Sequence, residues 1–174
     1  MRKTAAALVC LGIIMGATAF AAERPQYEID ASYDKATSRL SASEKVTFVN
    51  ETGTALTEVH FNVYANKTYL PDERKRLLFF QNYFKVNAFP YGLHESNFAV
   101  SSVTAGGVPL SYSFTGTYRT AMVVTLAQPL APGASVTFDI AFALTLPNQY
   151  GLLAQYRDVH CFAHWYPVLS VFKG

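Results

Sequence analysis

The chain has 174 residues, of which 51% are hydrophobic, 14% aromatic and 15% charged. That composition excludes a disordered tail, a coiled coil and a collagen-like or linker sequence, each poorer in apolar residues or richer in charge, Gly or Pro. Fourteen Lys and Arg face twelve Asp and Glu, and a formal charge of only +2 offers no electrostatic footprint for a nucleic-acid partner.

Residues 1–21 read as a signal peptide. Arg2 and Lys3 precede an apolar stretch from Ala5 to Ala19, and Ala19-Phe20-Ala21 supplies the small-x-small pattern for cleavage before Ala22. The chain is therefore expected to be exported, to a periplasm or to the outside. A membrane contact is expected only if this segment stays uncleaved as an anchor, since roughly 20 apolar residues span a bilayer. Cleavage removes Cys10 and leaves Cys161 as the one thiol, so the mature chain has no intrachain disulfide and its stability rests on packing. Residues 22–174 are long enough for one domain with its own core.

Antiparallel strands follow. Tyr27, Ile29, Ala31 and Tyr33 alternate with polar residues, as in a half-buried strand. After a polar turn at 35–39, a second strand runs from about Leu40 to Asn50, with Val46 and Phe48 on one face and Lys45, Thr47 and Asn50 outside the core. Val59, Phe61 and Val63 mark a third strand, with His60 facing solvent or a neighbouring sheet. Later, Leu110, Tyr112 and Phe114 precede Met122, Val124 and Leu126, and Gly106-Gly107 reads as a hairpin turn. Val136, Phe138, Ile140, Phe142, Leu144 and Leu146 take every second position of a long strand, behind the punctuation of Pro132-Gly133. The fold class is all-β: an antiparallel β-sandwich or saddle-shaped sheet of about seven to eight strands.

Residues 65–97 interrupt this pattern as one long insertion. Pro71-Asp72-Glu73 suits the start of a short helix, with acids near its positive end. Arg74-Lys75-Arg76 is expected to pair with Asp72 and Glu73. The aromatics from Phe79 to Tyr91 either dock on a partner or fold over a sheet edge.

Reactive groups are sparse. His160 and His164 have HExxH spacing, but Cys161 stands where Glu belongs, and Trp165-Tyr166-Pro167 is poor helix sequence. His160, Cys161 and His164 are competent metal ligands by type, yet an aromatic-rich strand and turn reads them as packing residues, and no metal site is expected in this chain. No serine elbow and no phosphate loop occurs. Asn50-Glu51-Thr52 and Asn66-Lys67-Thr68 match the N-glycosylation pattern, which matters only in a eukaryotic secretory pathway.

Several segments resemble, in order and spacing, the N-terminal β-domain of the aminopeptidase N-like zinc metallopeptidases, the gluzincins. They are Tyr27 to Ala31, Val46 to Asn50, Leu56 to Asn66, the turn Pro129 to Ser135, and the tail His160 to Pro167, whose Trp-Tyr-Pro leads out of the domain in exported bacterial members. The resemblance covers about residues 26–172. It implies a partner catalytic domain, in cis or in trans, with a GxMEN-type loop and HExxH plus a more distant Glu holding zinc. Neither motif occurs in these 174 residues, and the apolar run Val168 to Phe172 is expected to bury against whatever follows it.

The resemblance also implies a polar residue, often Gln, that holds the substrate peptide's α-amino group. The matching region is Gln155-Tyr156-Arg157-Asp158, within a domain-exit segment of residues 147–174. Gln155 could accept from an ammonium group and Asp158 would do so with charge assistance, while Arg157 would repel it. The same stretch also reads as a solvated loop. The expected function is a non-catalytic domain that helps form the peptide cleft of an exported aminopeptidase-like enzyme. The alternative is a free-standing secreted β-sandwich that binds a protein, glycan or envelope surface through residues 65–97.

Overall fold

A computed structural model describes residues 24–170; the expected signal peptide and the last two residues of the run 168–172 lie outside them. In chain order the elements are β1 (Gln26–Asp34), β2 (Arg39–Val49), β3 (Leu56–Asn62), α1 (Pro71–Phe84), β4 (Ala99–Ala105), β5 (Val108–Pro109), β6 (Tyr112–Thr115), β7 (Ala121–Leu130), β8 (Ser135–Thr145), β9 (Leu153–Tyr156), β10 (Val159–Phe162) and β11 (Val168–Leu169). Two antiparallel sheets form a sandwich, one ordered β1-β2-β8-β4-β5 and the other β11-β3-β7-β6, with β9 and β10 as a separate hairpin. The all-β class is as the alternation requires. The strands outnumber the expected seven or eight because β5 and β11 are two-residue pieces and β4 carries serines where an apolar period would have marked it.

The ladder between β2 and β8 runs unbroken from Arg39 opposite Thr145 to Val49 opposite Ser135. Successive side chains alternate across a strand, so Leu40, Ala42, Glu44, Val46 and Phe48 face inward opposite Leu144, Phe142, Ile140, Phe138 and Val136. From the other sheet, Val59, Phe61, Met122 and Val124 close the core with no exposed surface. Phe61 and Phe138 meet edge to face between the sheets, ring centroids 5.4 Å apart. Gly106 and Gly107, both at positive φ, make the expected turn between β4 and β5.

Asn50 corrects the sequence reading. It was expected outside the core, but it is fully buried and ties together two of the places where the chain crosses between sheets, β2 to β3 and β7 to β8. Its Nδ2 donates to the Leu130 carbonyl (2.8 Å) and the Thr54 carbonyl (2.9 Å), and its Oδ1 accepts from the backbone and hydroxyl of Thr52. Its own backbone bonds Ala134 and Gly133 in the turn before β8. A period-2 pattern marks Asn50 only as polar; three of its four side-chain bonds stay within Thr52 and Thr54, and the one that reaches the second crossing goes to Leu130, 80 positions away. Buried and occupied, this sequon is closed to a glycan in the folded chain. Asn50→Ala takes the side-chain partner from the Leu130 carbonyl and the Thr52 amide, while the Thr54 carbonyl keeps the Thr52 hydroxyl, and is expected to cost about 2–3 kcal/mol in urea unfolding. A loss under about 1 kcal/mol would contradict this role.

The insertion holds a longer helix than expected. Pro71 opens it, Asp72 and Glu73 lie in its first turn, and Lys85 ends it in the left-handed conformation. The pairing of the basic triplet also differs from expectation. Arg74 bonds Glu95 and the Leu93 carbonyl, Glu73 pairs with Lys67, and only Lys75 lies near Asp72, at 3.5 Å. None of the helix residues is buried, whereas Ala65 and Leu93, near the two ends of the insertion, are.

Candidate functional site

The segment expected to carry the function folds as a hairpin lying beside one end of the sandwich. Its register sets Gln155 opposite His160, Leu153 opposite Phe162, Ala154 opposite Cys161 and Tyr156 opposite Val159. Directly opposed residues share a face. One face thus carries Leu153, Gln155, His160 and Phe162, of which Leu153 and Phe162 pack on the core. The other carries Ala154, Tyr156, Val159 and Cys161.

Gln155 is half-buried on the strand beside His160, and Asp158 is exposed on the turn. The two candidates for holding an ammonium group therefore sit in different settings: a strand face for Gln155, open solvent for Asp158. The Gln155 backbone accepts from Gln149 and donates to the Pro147 carbonyl, each at 2.9 Å, which fixes the hairpin against the preceding loop.

The three metal-capable residues also part company. His160 lies 2.6 Å from the Tyr33 hydroxyl through Nδ1, while its Nε2 is buried without a hydrogen-bond partner. Cys161 faces the other way, into a groove of about 260 Å³ with Tyr150, Tyr156 and Arg157. His164 sits at positive φ on an exposed turn, its ring 5.2 Å from that of Tyr64. Strand alternation alone separates His160 from Cys161. Among the described residues, no group of three or more His, Cys, Asp or Glu side chains is arranged to hold a metal.

A cleft of about 290 Å³ opens beside the hairpin, lined among others by Lys67, Tyr69, His94, Glu95 and His164. Gln149 is the buried pin of this region. Its Oε1 accepts from the His94 amide at 2.9 Å and its Nε2 donates to the His94 carbonyl at 3.1 Å, joining the end of the insertion to the loop before β9. The Lys67 ammonium pairs with Glu73 at 2.5 Å and lies over the rings of Tyr69 and Tyr118. Burial pushes the Tyr69 hydroxyl up from its ordinary range, an effect that Lys67 opposes. Burial works against ionisation of Glu95, but hydrogen bonds from Arg74 and the Tyr69 amide outweigh it and hold that carboxyl below the usual range. Lys67 and Glu95 are thus each committed to a partner, and the rings of Tyr64 and Tyr69 line the cleft beside them. Sequence reasoning missed this cleft, because Gln149 and His94 are 55 positions apart and neither belongs to a motif.

A second missed feature lies in the opposite sheet. Glu44 points into the core opposite Ile140 and is 1% exposed, with neither carboxyl oxygen hydrogen-bonded. Burial pushes its carboxyl up to about 8. An alternating strand offered a signal for it, since Glu44 falls on the apolar phase of Leu40, Ala42, Val46 and Phe48.

No family model matches the sequence, and none of the curated proteins matches it. Among solved structures, the chain is similar to the M1 zinc metallopeptidase of Deinococcus radiodurans, with a TM-score of 0.47 and 15% identity over 82% of this chain and 27% of that one. It is similar to a mutant M1 zinc metallopeptidase from that organism bound to a Tyr-ser-ala substrate, with a TM-score of 0.46 and 15% identity over 82% of this chain and 27% of that one. A mutant two-domain M1 zinc metallopeptidase bound to L-arginine gives a TM-score of 0.42 and 14% identity, over 72% of this chain and 21% of the other. The chain spans between about a fifth and about a quarter of the length of these zinc metallopeptidases.

Proposed function

We propose that this chain is a non-catalytic β-domain of an exported, aminopeptidase-like zinc metallopeptidase, contributing one wall of the peptide cleft. The ordered sequence segments that resemble that family support the reading. The observation that carries it is the way the exit segment is built into the sandwich. Phe162 packs edge to face on Tyr33, Trp165 lies on Phe142, Tyr166 meets Tyr27, and Pro167 is fully buried. β11 then joins β3, and the Tyr27 hydroxyl accepts from the Leu169 amide at 3.0 Å. The segment is thus an integral part of the sandwich as far as Leu169, a fixed base from which, in this reading, a catalytic domain follows.

In this reading Gln155, on its half-buried strand, contacts the α-amino end of a peptide. Asp158 adds a more distant, solvent-screened attraction. Zinc belongs to the partner catalytic domain, in cis or in trans, and export depends on residues 1–21. The test is the coding sequence after codon 174. An in-frame HExxH with a more distant Glu supports the reading, and a stop codon there overturns it for the cis arrangement. The second reading, a free-standing secreted binding module, is favoured by one observation: the exposed aromatic face of α1.

A further inference from the structure

A helix with no buried residue is unusual in a domain whose core is otherwise closed. The inward line of α1, Arg74, Leu77, Leu78 and Gln81, is only half-buried. It is held by polar contacts to the segments on either side of it: Arg74 to Glu95, Glu73 to Lys67, and the Phe89 amide to Gln81 Oε1 at 2.6 Å. The outward side of its last two turns is aromatic. Phe79 and Tyr83 are each 67% exposed, Phe80 and Phe84 more than half. Their rings form a ladder, Phe79 on Tyr83 at 5.9 Å, Phe80 on Phe84 at 4.4 Å and Tyr83 on Phe84 at 5.0 Å. Tyr91, 70% exposed in the following loop, extends the aromatic surface in sequence.

In sequence, the charge next to this ladder is basic. From Arg74 to His94 the sequence contains four Lys and Arg and no Asp or Glu. Lys75 and Arg76 precede the ladder by one turn, and Lys85 caps the helix behind it. Arg74 is neutralised by Glu95, and Lys75 faces Asp72 across 3.5 Å in open solvent, a pair of little strength. Aromatic rings at the level of lipid headgroups, with basic side chains on both flanks, are the elements of a helix lying in a membrane interface. The rings bury against acyl chains while Lys and Arg reach up to anionic phosphates.

We propose that α1 is an interfacial docking helix that seats Phe79, Phe80, Tyr83 and Phe84 in the surface of an anionic phospholipid bilayer. The surface would hold the domain against a membrane whichever functional reading applies. It differs from a spanning anchor, since no helix of the described residues is long and apolar enough to cross a bilayer.

The test compares the full chain with a variant carrying Phe79→Ser, Phe80→Ser, Tyr83→Ser and Phe84→Ser, so that any contribution of residues 1–23 is common to both. Because the four side chains are exposed, circular dichroism and melting of the variant should match the parent. Sedimentation with vesicles of phosphatidylcholine and phosphatidylglycerol, in about a 7:3 ratio, should show affinity reduced at least about tenfold in the variant. Arg76→Glu with Lys85→Glu should weaken binding several-fold, and about 0.5 M salt should weaken the parent likewise. A Phe79→Trp chain adds a local probe, whose added emission should shift blue and be quenched by brominated acyl chains. Equal vesicle affinity of parent and four-serine variant overturns the proposal. So does binding that ignores phosphatidylglycerol, or a parent whose self-association, rather than vesicle binding, is what the four serines abolish.

Discussion

Between about pH 5 and about pH 9 the folded chain is expected to lose on the order of 4–5 kcal/mol of stability, through Glu44. In the unfolded chain this carboxyl ionises near its ordinary value of 4.5, whereas in the core it stays protonated up to about 8. Across that interval the native state binds one more proton than the unfolded state, so each unit of rising pH favours unfolding. The stabilisation of the protonated form is complete below the ordinary value and gone once pH passes the folded one. Above it, the chain must carry a buried charge that no hydrogen bond relieves.

Three other groups with shifted ionisation do not mask this window. Tyr27, whose hydroxyl is pushed up chiefly by its own burial, stays neutral through it. The lowered carboxyls of Asp34 and Glu95 lose their protons below it. Melting temperature should therefore fall by roughly 10–15 °C from the acid to the alkaline end. In Glu44→Gln the slope should vanish, and Glu44→Leu should be more stable than the parent at the alkaline end. Parallel pH profiles for parent and Glu44→Gln would show that this carboxyl is solvated or paired.

The second large effect concerns the bolt between the sheets. Phe61 on β3 and Phe138 on β8 have no exposed surface and meet edge to face at 5.4 Å. Each alanine replacement removes a large apolar group from a closed core and leaves a cavity that two hydrogen-bonded sheets cannot collapse. Phe61→Ala and Phe138→Ala are each expected to cost about 3–5 kcal/mol in urea unfolding at fixed pH. The double variant should cost less than the sum by about 0.5–1.5 kcal/mol, the energy of the ring contact itself. With a total of about 5–15 kcal/mol for a domain, the double variant is expected to be unfolded or nearly so at 37 °C. Single losses below about 1.5 kcal/mol would mean that the sheets are held apart from this contact.

The legible part of the fold was the part with a local period. Six alternating apolar residues from Val136 to Leu146 mark β8, and the same rule marks β1, β2 and β3. Gly106-Gly107 marks the β4–β5 turn through the positive φ that glycine tolerates. β4 itself was missed, because Ser101, Ser102 and Thr104 blur the period. Asn50 and Gln149 were missed for another reason. Each is a buried amide with a decisive partner far off in sequence, Leu130 at 80 positions and His94 at 55, and a local period does not distinguish such a residue from a solvated one.

The separation of His160, Cys161 and His164 has a local cause. Adjacent strand residues point to opposite faces, so His-Cys in an extended segment cannot converge, and a left-handed His164 turns away again. The insertion showed its helix start through Pro71, Asp72 and Glu73. Its length depended on Leu77 to Phe84 being helical without any of them being buried, which a search for buried faces does not anticipate.

The central proposal is that this sandwich supports and positions a catalytic domain rather than carrying a reactive centre itself. Its most direct test is the zinc content of the purified chain after zinc loading and gel filtration, measured by mass spectrometry alongside hydrolysis of an aminoacyl anilide. The account predicts far less than one zinc per chain, unchanged by His160→Ala or His164→Ala, and no hydrolysis. Close to one zinc per chain, lost on replacing His160, Cys161 or His164, would contradict it.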